Sequence, residues 1–176
     1  MIAKRILAIG LDCGDTLIDE STEVKTVGDV SLRAELIPGA AKLMHELKRS
    51  GYPLALVADG PTATFENNLS PYGLYDLFDA ISISDTVGVS KPHPDIFHHA
   101  MQQLGIEKED YGRIVMVGNH LGRDVKGAND LGMISVWLDW APRRHKIPRD
   151  PSEIPQYTIK EPLALIQLLE NLAIST

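Results

Sequence analysis

Only one residue in the 176-residue sequence, Cys13, could enter a disulfide. It has no partner in the chain, so a disulfide scaffold is excluded and a reducing compartment, the cytoplasm, is the expected location. No apolar run approaches the roughly 18 residues that a membrane span needs. Positive charge is also short: 17 Lys and Arg stand against 24 Asp and Glu, for a net charge of -7. A nucleic-acid surface would need a basic face, so no nucleic-acid partner is expected. Basic residues precede an apolar stretch near the start, but Asp12, Gly14 and Asp15 follow it where a signal peptide would carry a small-residue cleavage site. No secretory signal is expected. The chain also lacks internal repeats and low-complexity segments.

What is present is an ordinary globular composition, 44% apolar and 23% charged. A chain of this size buries about 70% of its unfolded surface, enough for one core, and a single domain over residues 1–176 is expected. Short apolar runs alternate with longer amphipathic ones. Ile6 to Leu11, Pro53 to Ala58, Ala80 to Ser84, Ile114 to Val117, Met133 to Leu138 and Tyr157 to Ile159 read as strands. Between them, helices are expected from Pro38, Thr62, Pro94, about Arg123 and Pro162, several closed by glycine. The polar stretch 19–31 has no clear period and reads as a flap, and 141–155 as a proline-rich basic connection before the last strand and helix. Strands alternating with helices predict an α/β fold, a doubly wound and mainly parallel sheet with helices on both faces.

Ligands of such sheets bind beyond the carboxyl ends of the strands, near the switch in strand order. The segments there are Asp12 to Leu17, Ala58-Asp59-Gly60 and Gly118-Asn119-His120, with Ser90-Lys91-Pro92 ahead of a helix in the same half. Three carboxylates (Asp12, Asp15, Asp124), an amide and a lysine can converge in that place.

These segments resemble the haloacid dehalogenase superfamily, which is dominated by phosphatases that form an aspartyl-phosphate. Its first motif, an apolar strand and Asp-x-Asp-Gly-Thr-Leu, is similar to Asp12-Cys13-Gly14-Asp15-Thr16-Leu17. Lys91-Pro92-His93-Pro94-Asp95-Ile96-Phe97 follows its third motif residue by residue, and Gly118-Asn119 through Asp124 to Gly127-Ala128 its fourth apart from Asn119. The resemblance implies Asp12 as the nucleophile and Lys91 as its charge partner. It further implies Mg²⁺ held by Asp12, the Gly14 carbonyl, Asn119 and Asp124. Ala58, Asp59, Gly60 and His120 are then substrate contacts. The substrate is a phosphorylated small molecule or a macromolecular phosphoester, and a homo-oligomer fits a site without a cap. Neither interval between the motifs has room for a cap domain.

Three positions depart from the pattern. Gly14 replaces the aspartate that protonates the leaving oxygen; Asp15, one residue later, is the remaining acid–base candidate. Ala58 replaces a hydroxyl residue, and Asn119 replaces a metal-binding aspartate. Without a general acid, leaving groups that depart unprotonated, such as aryl and acyl phosphates, are favoured. The competing class is a non-catalytic relative that binds a ligand or protein, and dehalogenation ranks below both. Cys13 is expected to pack away from the site, and His98 and His99 to lie on a helix surface. Arg143-Arg144-His145-Lys146 is expected to be a solvated run, the alternative being contact with a substrate's distal end.

Overall fold

The computed structural model describes residues 6–174. In chain order the elements are β1 (Ala8–Leu11), β2 (Ile18–Lys25), β3 (Ser31–Leu36), α1 (Ala40–Arg49), β4 (Leu54–Ala58), α2 (Thr62–Leu69), β5 (Ala80–Ile83) and α3 (Ser84–Val87). There follow α4 (Pro94–Gln103), β6 (Ile114–Gly118), α5 (Lys126–Asp130), β7 (Ile134–Leu138), β8 (Tyr157–Ile159) and α6 (Ala164–Ile174). Six strands form one sheet in the order β5-β4-β1-β6-β7-β8. Every neighbouring pair in it is parallel.

Period-2 alternation divides the central strands between two cores. Ile9 and Leu11 of β1 and Leu54 and Leu56 of β4 face one side, where Leu43, Met44 and Leu47 of α1 meet Leu165 and Leu169 of α6. Ala8, Ala55 and Val57 face the other side and pack with Ile96, Phe97, Ala100 and Met101 of α4 and Ala128 of α5. The buried positions of α1 fall at i, i+3, i+4 and i+7, a single stripe down the helix. The left-handed Gly39 (φ 87°) starts that helix, and Leu163 packs 3.1 Å from where its Cβ would lie. Pro94 opens α4, with the Asp95 N–H donating 3.3 Å to His93 Nδ1.

The chain order reverses between β1 and β6: β4 and β5 extend the sheet on one side, β7 and β8 on the other. A crevice therefore opens at the carboxyl ends of β1 and β6. Residues 19–31 differ from the sequence expectation. They belong to an antiparallel hairpin, β2 with β3, that reaches Leu36 and pairs Ile18 with Leu36 and Lys25 with Ser31. The pairing shifts register twice between Asp19 and Lys25, and these irregularities erase the alternation by which a strand is recognised in sequence. A buried contact ties the hairpin to α2, with Ser31 Oγ donating to Asn68 Oδ1 at 2.9 Å.

Gly127 tests the packing of α5 on α4. A Cβ there would fall within the Phe97 ring. Elsewhere in a helix, Gly to Ala gains about 1 kcal/mol. Gly127→Ala is instead expected to cost about 1–3 kcal/mol by overpacking, read as a lower midpoint in urea unfolding.

Candidate active site

Lys91 is a lysine with 5% of its surface exposed. Its ammonium donates to Asp12 Oδ1 at 2.8 Å, Asp124 Oδ1 at 2.7 Å and the Val57 carbonyl at 2.8 Å, which uses all three of its protons. Asp12 leaves the end of β1 with its N–H on the Val117 carbonyl, 3.0 Å away. Asp124 comes from a π-helical turn, Leu121–Val125, directly after β6, and its Oδ2 accepts the His120 N–H at 2.9 Å. Gly118 makes that return possible, because a Cβ there would fall inside the Asp124 carboxyl. Burial pushes Asp12 above its ordinary value; Lys91 opposes the rise and Asp124 adds to it. Burial acting alone would lower Lys91, but the charges of Asp12 and Asp124 outweigh it and hold the ammonium above its usual range.

Beside this triad the Asn119 amide nitrogen donates to Asp12 Oδ2 at 2.8 Å and to the Gly14 carbonyl. Asn119 Oδ1 is buried without a hydrogen bond. A side-chain amide turned over brings Oδ1 to the place its nitrogen holds. Asp12 Oδ2, the Gly14 carbonyl and Asn119 Oδ1 then make an oxygen donor set of the kind Mg²⁺ takes. The residues present thus fit a small divalent cation. Among the described residues no three His, Cys, Asp or Glu side chains cluster as a metal site. One carbonyl and one amide stand here in place of further carboxylates.

The other sequence candidates divide. Asp59 and Gly60 line the cleft with His120. Asp59 Oδ1 accepts the Lys91 N–H at 2.9 Å, and its Oδ2, buried without a hydrogen bond, lies 3.7 Å from Arg123. The Gly60 N–H is engaged by Ser84 Oγ at 2.9 Å. Ala58 is fully buried and presents no side chain to the cleft. His120 has a buried Nδ1 without a hydrogen bond, and burial, helped by Arg123 and Arg144, lowers its pKa and keeps it neutral. Cys13 is buried in the core, where burial and then the Asp12 charge push its thiol up, so it stays protonated. His98 and His99 are half-buried and bonded, to Tyr111 at 2.9 Å and Ser82 at 3.1 Å.

Two expectations are corrected. Asp15 is not poised as an acid–base: it adopts φ 50°, is fully buried, and gives its two oxygens to Arg143 and Arg144, the latter at 2.6 Å. The basic run is not wholly solvated: Arg143, His145 and Lys146 are exposed, as expected, but Arg144 is half-buried. Arg143 and Arg144 fold back onto Asp15, and Arg144 also pairs with Glu20 and lines the cleft. A lone buried carboxylate needs countercharge, and these guanidiniums supply it from residues far along the chain. Sequence reasoning missed Glu20 altogether. Burial pushes its carboxyl up while Arg144 opposes the shift. Its place on a register-shifted hairpin left no pattern to find it by.

An α/β sheet with a buried Lys between two Asp at its switch point defines a class of hydrolase core. Residues 10–132 match the haloacid dehalogenase-like hydrolase family, and the chain belongs to it. It is 33% identical to the glyceraldehyde 3-phosphate phosphatase of Pyrococcus furiosus, over 77% of this chain and 55% of that protein. It is also 33% identical to the phosphoserine phosphatase of Thermus thermophilus, over 72% of this chain and 48% of that one. The chain thus spans about half the length of these curated relatives. The crystal structure of a phosphatase of the same family from Thermococcus onnurineus superposes with a TM-score of 0.67 at 30% identity, covering 80% of this chain and 61% of that one.

Lys91→Met removes the countercharge of two buried carboxylates. It is expected to cost about 3 kcal/mol in urea unfolding. Asp12→Asn combined with it is expected to recover part of that loss.

Proposed function

We propose that the chain is a phosphomonoester hydrolase whose nucleophile is Asp12. The observation that carries this reading is the Lys91 ammonium shared between Asp12 and Asp124 at the switch point. Lys91 opposes the rise that burial imposes on Asp12, favouring its carboxylate form, and places positive charge where phosphoryl oxygens would arrive. Its rotamer is held by the Val57 carbonyl, so the charge needs no rearrangement on binding. The Asp12 carboxylate is held by Lys91 on one oxygen, and its other oxygen accepts from the Asn119 amide, which would turn over to offer Oδ1 to a cation. The carboxylate attacks phosphorus and displaces the alcohol, and water then releases phosphate from Asp12. Asp12, the Gly14 carbonyl and Asn119, with Asp124 in support, would hold Mg²⁺, which supplies charge against the phosphoryl oxygens.

Asp59, the Gly60 backbone and His120 border the same cleft and are the substrate contacts of this reading. The neutral imidazole of His120 offers a buried ring nitrogen without a partner, suited to a hydroxyl or phosphoryl group. A phosphorylated small molecule is the substrate class, in keeping with the phosphatases it resembles. Gly14 brings no proton to the leaving oxygen. Unless another side chain does, aryl and acyl phosphates are the better substrates.

Hydrolysis of p-nitrophenyl phosphate and acetyl phosphate tests the reading. Turnover is expected to need Mg²⁺, to vanish on chelation and to fall more than about 10³-fold in Asp12→Asn. Soaking with beryllium fluoride is expected to place an adduct on Asp12. Turnover that survives Asp12→Asn would overturn the assignment.

A further inference from the structure

Cleavage of an alkyl phosphate needs a proton at the departing oxygen, and the carboxyl groups around the cleft differ in their freedom to give one. Asp124 is bonded through both oxygens, to Lys91 and the His120 N–H. Asp15 is clamped by two arginines; Asp59 accepts the Lys91 N–H through Oδ1, and its Oδ2, without a hydrogen bond, faces the Arg123 guanidinium at 3.7 Å. Glu23 is engaged by Asn68 at 3.3 Å and Lys25 at 3.2 Å, and Asp29 stands at the outer rim with 81% of its side chain exposed. Glu20 is different. Its Oε2 pairs with Arg144, and its Oε1 turns to Gly14, two residues beyond the nucleophile.

A Cβ built on Gly14 would fall onto Oε1, with Glu20 Cδ 2.6 Å and Cγ 2.8 Å away. The Glu20 carboxyl therefore fills the volume that a side chain at position 14 would take. The absence of that side chain is the condition for its entry. Two further bonds hold it there: the Glu20 N–H donates to Asp15 Oδ1 at 3.2 Å, and Arg144 bridges Asp15 and Glu20. The Asp15–arginine cluster thus has a purpose in positioning Glu20 from the flap side of the cleft.

From this placement we infer that Glu20, reaching over Gly14 from the hairpin, is the general acid–base of the reaction, an inference that rests on Asp12 being its nucleophile. In the first step the Asp12 oxygen bonds to phosphorus as the bond to the leaving oxygen breaks, and that oxygen takes the proton of Glu20. In the second step the Glu20 carboxylate takes a proton from water, whose oxygen bonds to phosphorus. The bond from phosphorus to Asp12 then breaks, phosphate leaves, and Glu20 is again protonated. With Glu20 in this role alkyl phosphates become substrates alongside aryl and acyl ones.

The test compares glycerol phosphate with p-nitrophenyl phosphate for the parent chain, Glu20→Gln, and the double variant Glu20→Ala with Gly14→Asp. Glutamine keeps the shape and the Arg144 contact, and its urea midpoint reports folding. Glu20→Gln is expected to lower kcat on the alkyl ester by about 10²–10⁴-fold, and on the aryl ester at least tenfold less than that. The double variant returns a carboxyl to the same volume from the other side of the cleft and is expected to regain much of the alkyl activity. Equal losses on both esters, or alkyl turnover untouched in Glu20→Gln, would overturn the role of Glu20 while leaving Asp12 in place. A parent chain that hydrolyses neither ester and forms no adduct on Asp12 would overturn both readings together.

Discussion

A buried ammonium between two buried carboxylates is the constraint around which this end of the molecule is arranged. Lys91 reaches Asp12 and Asp124 from a segment of chain far from either. A buried charge without a partner is costly, and the three groups offset one another here. Their mutual attraction requires that β1, β6 and the segment before α4 stay in register at one end of the sheet. The same requirement explains Gly118, which lets the Asp124 carboxyl fold back over the strand end. Structure and chemistry coincide here, since the ammonium that offsets the burial of Asp12 is also the charge that the proposed reaction needs.

A second electrostatic layer lies over the first. Asp15, buried beside the nucleophile's turn, draws Arg143 and Arg144 in from the connection before β8. Arg144 passes the interaction on to Glu20 on the hairpin. The turn after β1, the hairpin that follows it and a connection more than a hundred residues further on thus form one wall of the cleft. The exchange of a side chain at residue 14 for one from residue 20 is intelligible only in this setting. A glycine opens the volume, and a longer side chain from a neighbouring strand enters it.

Most of the sheet was legible from apolar runs, because strands buried on both faces carry no polar interruption and helices between them show one stripe. The hairpin β2–β3 was not. Its strands are partly exposed and their pairing slips, so period 2 is lost in the sequence. The motif residues Asp12, Lys91, Asn119 and Asp124 could be placed at strand ends in advance. The orientation of Asp15 could not, because its φ of 50° and its arginine partners depend on contacts across more than a hundred residues.

Sequence by itself determined the α/β architecture, the strand ends that carry the polar residues, and the absence of a side chain at residue 14. Those follow from local periodicity and residue chemistry. Tertiary structure alone decided what stands in the space beside Gly14, which arginines neutralise Asp15, and how the Asn119 amide meets Asp12 and the Gly14 carbonyl. Such arrangements are set by side chains from separate segments competing for one small, poorly solvated volume. No single stretch of chain encodes the outcome of that competition.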